Sequence, residues 1–183
     1  MIKICTQTWG ALTLFCFSIV NAHGNIIDID SIANNNLGNA VSISFAPGRY
    51  DVTPIGTSNG GAYDAWNWNF GIVADCDGSG ANCRKGWINN YIVKVDGAPE
   101  QRISDGIKYL DPLLALDNAL GTSFTLTAET NVSFYIPDLV PLDNEGGISL
   151  DVTAVPVPGA AWLFGTGILG LWRFRGNNPT EAA

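Results

Sequence analysis

Short stretches in the middle of this chain alternate apolar and polar residues with a period of two, the mark of a half-buried β-strand. Ala40-Val41-Ser42-Ile43-Ser44-Phe45 is one, and Arg49 to Ile55 is another, entered through a Pro47-Gly48 turn. Ser123 to Ala128, Asn131 to Ile136 and Gly147 to Val152 repeat the pattern. Trp87 to Val95 is rich in β-branched and aromatic residues and stops at Asp96-Gly97, a hairpin signal. Ile26 to Asn36 reads as a leader strand followed by an asparagine-rich loop, and Asp111 to Leu120 as a short helical turn. There is no βαβ rhythm and no internal repeat. The pattern predicts an all-β fold, a β-sandwich or jelly roll.

At the two ends the alternation gives way to apolar runs. Lys3 precedes a mostly apolar stretch from Trp9 to Val20, and Val20-Asn21-Ala22 follows. A charged start, an apolar centre and small residues at −3 and −1 predict a signal peptide over 1–22, cleaved so that His23 leads the mature chain. Cys16 does not make a lipoprotein site, because Phe15 stands where a small residue is needed. At the other end Val155-Pro156-Val157-Pro158 leads into an uncharged run from Gly159 to Trp172, and Arg173-Phe174-Arg175 follows. A spanning helix takes ~20 apolar residues, a length approached when the run is extended back to Val155. The arginines fit a cytoplasmic stop under the positive-inside rule. The expected organisation is signal peptide 1–22, one domain at 23–154, and a tail at 155–183 with a transmembrane segment at 159–172.

That tail resembles the PEP-CTERM sorting signal in its V-P-x-P form. The resemblance lies in Val155, Pro156, Pro158, the Ala160-Ala161-Trp162-Leu163-Phe164-Gly165 stretch, Gly167 to Leu171, and Arg173 with Arg175. It implies recognition by an exosortase, transient anchoring in the inner membrane, and delivery to the outer surface or extracellular matrix of a Gram-negative bacterium. A plain C-terminal membrane anchor is the other reading.

Charge then narrows the partners. The chain has 9 Lys and Arg against 17 Asp and Glu. Lys3, Arg173, Arg175 and Glu181 lie outside 23–154, which leaves 6 against 16, a net of −10 in the domain. Phosphate binding needs cationic neutralisation, so nucleic acid or an anionic surface is an unfavourable partner. Divalent cations and neutral ligands such as sugars remain open, beside plain solubility. Of the four cysteines, Cys5 and Cys16 fall in the signal peptide. Cys76 and Cys83 remain, an even pair in an exported chain, and a disulfide is expected. Zinc takes about four N or S ligands, and one histidine beside this pair does not supply them.

The sharpest local cluster is Ile136-Pro137-Asp138-Leu139-Val140-Pro141-Leu142-Asp143-Asn144-Glu145-Gly146-Gly147, between two expected strands. Asp138, Asp143 and Asn144 offer hard oxygen ligands of the kind calcium takes. A solvated polar hairpin loop is the alternative. The pattern of strand, Asp, short loop, then Asp-Asn-x-Gly resembles the C-terminal part of PA-I-type galactophilic lectins. Ala46-Pro47-Gly48, Cys83 with Gly86-Trp87, and Ile92 to Gly97 resemble other parts of those lectins. The resemblance implies a galactose-binding-like β-sandwich with one Ca2+, held by the side chains of Asp138, Asp143 and Asn144 and a backbone carbonyl of Tyr63. The family's sugar-contacting histidine and glutamine have no counterpart here.

Aromatic residues form a second cluster, Tyr63-Asp64-Ala65-Trp66-Asn67-Trp68-Asn69-Phe70. Trp66 and Trp68 with Asp64 have the composition of a carbohydrate site. Alternation places 66, 68 and 70 on one face, which favours a core role for the rings. Asp75-x-Asp77-Gly78-x-Gly80 mimics the opening of a calcium loop, lacks its closing glutamate, and reads as a turn. No enzyme is expected, since the chain has a single histidine and its carboxylates lie on turns. The leading expectation is a calcium-dependent, carbohydrate-binding surface or matrix protein whose glycan partners include extracellular polysaccharide. A structural matrix protein without a ligand is the second reading and a glycan-active enzyme the third.

Overall fold

The computed structural model describes residues 24–156. The expected signal peptide and His23, the 159–172 segment, Pro158, Arg173 and Arg175 lie outside the described residues. Nine strands follow along the described residues: β1 (Asn25–Asp30), β2 (Val41–Phe45), β3 (Gly48–Ile55), β4 (Trp66–Asn67), β5 (Asn90–Val95), β6 (Gln101–Ser104), β7 (Thr122–Leu126), β8 (Thr130–Tyr135) and β9 (Glu145–Ala154). One helix, α1 (Pro112–Asp117), lies between β6 and β7; Pro112 opens it and the Asp111 side chain caps it by accepting from Leu114 N. The strands form two antiparallel sheets, in the orders β1-β9-β3-β7 and β2-β8-β5-β6, with β4 paired to the start of β9. The all-β expectation therefore holds, in a sandwich-like arrangement.

The alternating residues account for the core. Ile27 and Ile29 of β1, Val52 of β3, and Ile148, Leu150 and Val152 of β9 turn inward from the first sheet. Phe45, Tyr91, Val93, Val132 and Phe134 meet them from the second. Phe45 bridges the layers edge-on, with ring centroids 4.9 Å from Tyr50 and 5.5 Å from Phe124. Residues within 24–156 form both sheets and this core. β9 is buried on both faces: Ser149, between two core residues, is 0% exposed because the segment after β3 crosses over it. Gly61 makes that crossing, where a Cβ would come 2.4 Å from Ser149 Cβ.

One strand expectation needs correction. Trp66 to Phe70 is not one alternating face, because β4 stops at Asn67 and Phe70 takes a φ of 51° that leaves it 66% exposed. β6 is a strand that the pattern did not announce.

Cys76 and Cys83 are disulfide-bonded, as expected. Asp77 organises the loop between them, accepting from Ser79 N and Oγ, Ala81 N and Asn82 Nδ2. Side-chain bonds from Ser79 and Asn82 hold its carboxyl well below the usual carboxylate range. The segment reading as a turn is one. Replacing both cysteines with serine should lower the unfolding free energy by about 2–3 kcal/mol, since the bridge restricts the unfolded chain. A denaturant midpoint unchanged in the double variant would contradict this.

Four of the five tyrosines resist ionisation. Burial, then the Asp105 carboxylate, pushes Tyr109 up to about 12. Burial, then Glu100, does the same for Tyr135. Tyr63 and Tyr91 are raised chiefly by burial. A raised folded pKa adds stability that is complete below the unfolded value near 10.0 and is lost as pH climbs through the folded value. Tyrosinate absorbance should therefore rise late, above about pH 10, and together with loss of structure. Titration of Tyr63, Tyr91, Tyr109 and Tyr135 near the free value, with the fold intact, would refute it.

Candidate functional site

The loop from β8 to β9 carries Asp138, Asp143 and Asn144, and two other segments hold it in place. The first is the turn after β1. Ile136 N donates to Asn34 O at 2.9 Å, and Asp138 N donates to Asn35 O at 3.2 Å. Ser31, 0% exposed, donates through N and Oγ to Gly146 O. The second segment follows β4, where Phe70 N donates to Asp143 O at 2.6 Å. Inside the loop, Pro141–Asp143 forms one 3-10 turn that Asn144 N closes onto Pro141 O.

Two side-chain oxygens in this loop are left over. Asn144 is 5% exposed, and its Nδ2 donates to Ser31 O at 2.8 Å. That bond fixes the amide: reversed, it would set Oδ1 against a carbonyl. Oδ1 is buried and has no partner. Asp138 Oδ1 accepts weakly from Val140 N at 3.3 Å, while its Oδ2 is also buried without a partner. Among the described residues the only other such atom is Asn89 Oδ1. An unsatisfied buried polar atom costs about 1–3 kcal/mol, so native proteins rarely leave one without water, ion or protein partner. Both atoms are acceptors on the one loop, and what they lack is a donor or a cation. Among the described residues no three carboxylates, thiols or imidazoles cluster as a metal site. A cation here would take two carboxylates and complete its shell with amide, carbonyl and water oxygens, which suits calcium better than a metal of softer preference.

Tyr63 lies beside this loop. Its ring packs on Gly147, where a Cβ would meet Tyr63 Cδ2 at 2.7 Å and the Ile29 carbonyl at 2.3 Å. Its backbone N–H donates to Ser149 Oγ at 2.9 Å. Its hydroxyl donates to Asp30 Oδ2 at 2.9 Å. Burial opposes ionisation of Asp30, yet bonds from Ala33 N–H, the Tyr63 hydroxyl and Ile32 N–H outweigh it and hold the carboxyl below its ordinary value. Asp30 and Tyr63 thus brace the turn that carries Ser31.

The fold keeps Trp66 and Trp68 together, edge-on with ring centroids 5.9 Å apart, and turns Phe70 out to solvent. Trp66 is 1% exposed and donates from Nε1 to Asn90 O, so its ring faces the core and offers no ligand a face. Of the two readings of Trp66, a carbohydrate-site ring and a core ring, its burial fits the core role that alternation favoured. Trp68 is half-buried, with Lys108 Nζ 4.0 Å over its ring. Asp64 spends its carboxylate on Thr57, accepting from N at 2.7 Å and from Oγ1 at 3.2 Å. Sequence reasoning missed Ser31, Asn34 and Asn35, whose contacts with the loop span more than a hundred residues of chain in the case of Ser31 and Asn144. It missed Phe70 because the alternation pointed the other way. The run Asn34-Asn35-Asn36 was the one signal available. No family model, curated protein or solved structure matches this chain.

Proposed function

We propose that this chain is an exported surface or matrix protein of a Gram-negative bacterium whose β-sandwich binds calcium and, through it, a glycan. The observation that carries the reading is the pair of buried acceptors without partners, Asp138 Oδ2 and Asn144 Oδ1, on the loop that also presents Asp143. Bound calcium would satisfy both, and its remaining coordination positions would accept sugar hydroxyls. The resemblance of Asp138, Asp143 and Asn144 to the PA-I-type lectin loop supports the same ligands, with the Tyr63 carbonyl as a further one. The protein acts by binding, not by catalysis.

Topology supports display. Asn25 pairs with Val152 while Asp30 pairs with Gly147, so both described chain ends leave at one pole and the loop sits at the other. The ten residues of β9 separate them, about 30 Å at ~3.3 Å per residue. A signal peptide at 1–22 and a V-P-x-P tail handled by an exosortase, with Pro156 and Pro158 setting an extended approach to the 159–172 segment, would hold the chain by the first pole and expose the second. Arg173 and Arg175 would stop that segment at the cytoplasmic face before processing.

The test is a glycan array read in calcium and in chelator, with Asp143→Ala alongside. Binding that needs both calcium and Asp143 supports the reading. Calcium binding with a blank array leaves a matrix protein in which the ion is a structural staple, and the glycan part of the proposal fails.

A further inference from the structure

The tip of the candidate cation loop is apolar and stands clear of the protein. Leu139 is 97% exposed, Leu142 82% and Val140 63%. Phe70, at 66%, joins them through its bond to the Asp143 carbonyl. These are the four most exposed large apolar residues in the described chain. Single exposed apolar residues are ordinary. Four gathered at one pole mark an interaction surface.

We propose that this tip inserts into the interfacial layer of a lipid bilayer with anionic headgroups, and that the bound cation is what permits it. Shape argues for lipid. A leucine at 97% exposure has no groove wall beside it to hold a peptide or helix, whereas a fluid interface closes around a protruding side chain. Charge argues for the cation. The tip is rooted among Asp138, Asp143 and Glu145, in a domain whose net charge is negative, so an anionic surface repels it unaided. A divalent ion at Asp138, Asp143 and Asn144 offsets the two aspartates, leaving Glu145 as the one uncompensated carboxylate of the three, and its open coordination positions take headgroup oxygens directly. Position separates this surface from any that would hold the tail, since both described ends lie at the opposite pole. The inference rests on the cation reading above.

The test uses residues 24–156, the span of the two sheets and core described above, after a single cooperative melt has shown that this span folds by itself. The domain is floated with vesicles of phosphatidylcholine, with and without phosphatidylglycerol, in calcium or chelator. Wild type should float with phosphatidylglycerol vesicles in calcium and be released by chelator. Leu139→Ser/Leu142→Ser should bind at least about tenfold more weakly, the loss of ~1.4 kcal/mol, while keeping its calcium-induced thermal shift. Asp143→Ala should lose both flotation and shift. Failure of wild type to float in calcium, with its thermal shift intact, overturns the insertion alone. Equal flotation in chelator, or wild-type flotation of the double serine variant, also overturns it. So does a calcium-dependent dimer, found without vesicles, that the double variant abolishes, because a second copy then covers the tip. Absence of any thermal shift in wild type overturns the cation reading and this inference together.

Discussion

Trp66→Ala should leave the domain about 3–5 kcal/mol less stable, the usual cost of emptying a large aromatic site in a packed core. The ring is 1% exposed, meets Trp68 edge-on at 5.9 Å, and spends its indole N–H on Asn90 O. Its backbone pairs with Gly146 on one side and Ile88 on the other, so it joins the start of β9 to the chain entering β5. The cavity would open beneath the loop that holds Asn144. A urea midpoint measures the effect. If Trp66 were a stacking platform for sugar, the variant would lose binding with its midpoint unmoved, and that result would overturn the core assignment. Trp68→Ala should cost less, since its ring is half-buried and its contact with Lys108 is worth about 0.5–1 kcal/mol.

Trp66 also shows where the chain is legible. Strands with one buried face write that face into the sequence every second residue, and β2, β3 and β7 were readable for that reason, while β8 and β9 kept the alternation because the buried residues of their second face include the serines Ser133 and Ser149. β6 was not: Gln101-Arg102-Ile103-Ser104 has one buried residue, and an edge strand needs only one neighbour. β4 is two residues long, too short for any period. Its apparent continuation to Phe70 fails because a positive φ reverses the chain, and backbone reversals at non-glycine residues leave little trace in composition.

The candidate site divides the same way. Asp138, Asp143 and Asn144 are close in sequence, so their density on one loop was visible before any fold was known. Ser31 and the asparagines after it reach that loop only because β1 pairs with β9, the first strand with the last. Nothing local to Ile26–Asn36 encodes that pairing. The orphaned oxygens are a property of burial, and burial of Asn144 depends on both distant segments being in place. Chemistry of residue type was readable, and the reason for it to be used was not.

Calcium should raise the melting midpoint of the wild-type domain and chelator should lower it. An ion that binds only the folded state adds RT ln(1 + [L]/Kd), about 2.7 kcal/mol at a hundredfold excess over Kd. For a domain of this size that is on the order of ten degrees. Asp143→Ala should erase the difference and keep the chelator-state midpoint, since Asp143 supports the fold through its backbone carbonyl to Phe70 N. Asp138→Ala should also erase it, with a further signature. Removing a buried carboxylate oxygen that has no partner relieves an uncompensated desolvation, so the variant in chelator should be at least as stable as wild type in chelator. Asn144→Leu differs from both, because it also strands the Ser31 carbonyl, and it should be less stable in either condition by about 1–3 kcal/mol. Coincident wild-type melting curves in calcium and chelator would remove the cation site. A plain polar loop would then be expected to lose stability in Asp138→Ala, because its carboxylate would be working as a hydrogen-bond acceptor, and the sign of that one change separates the two accounts.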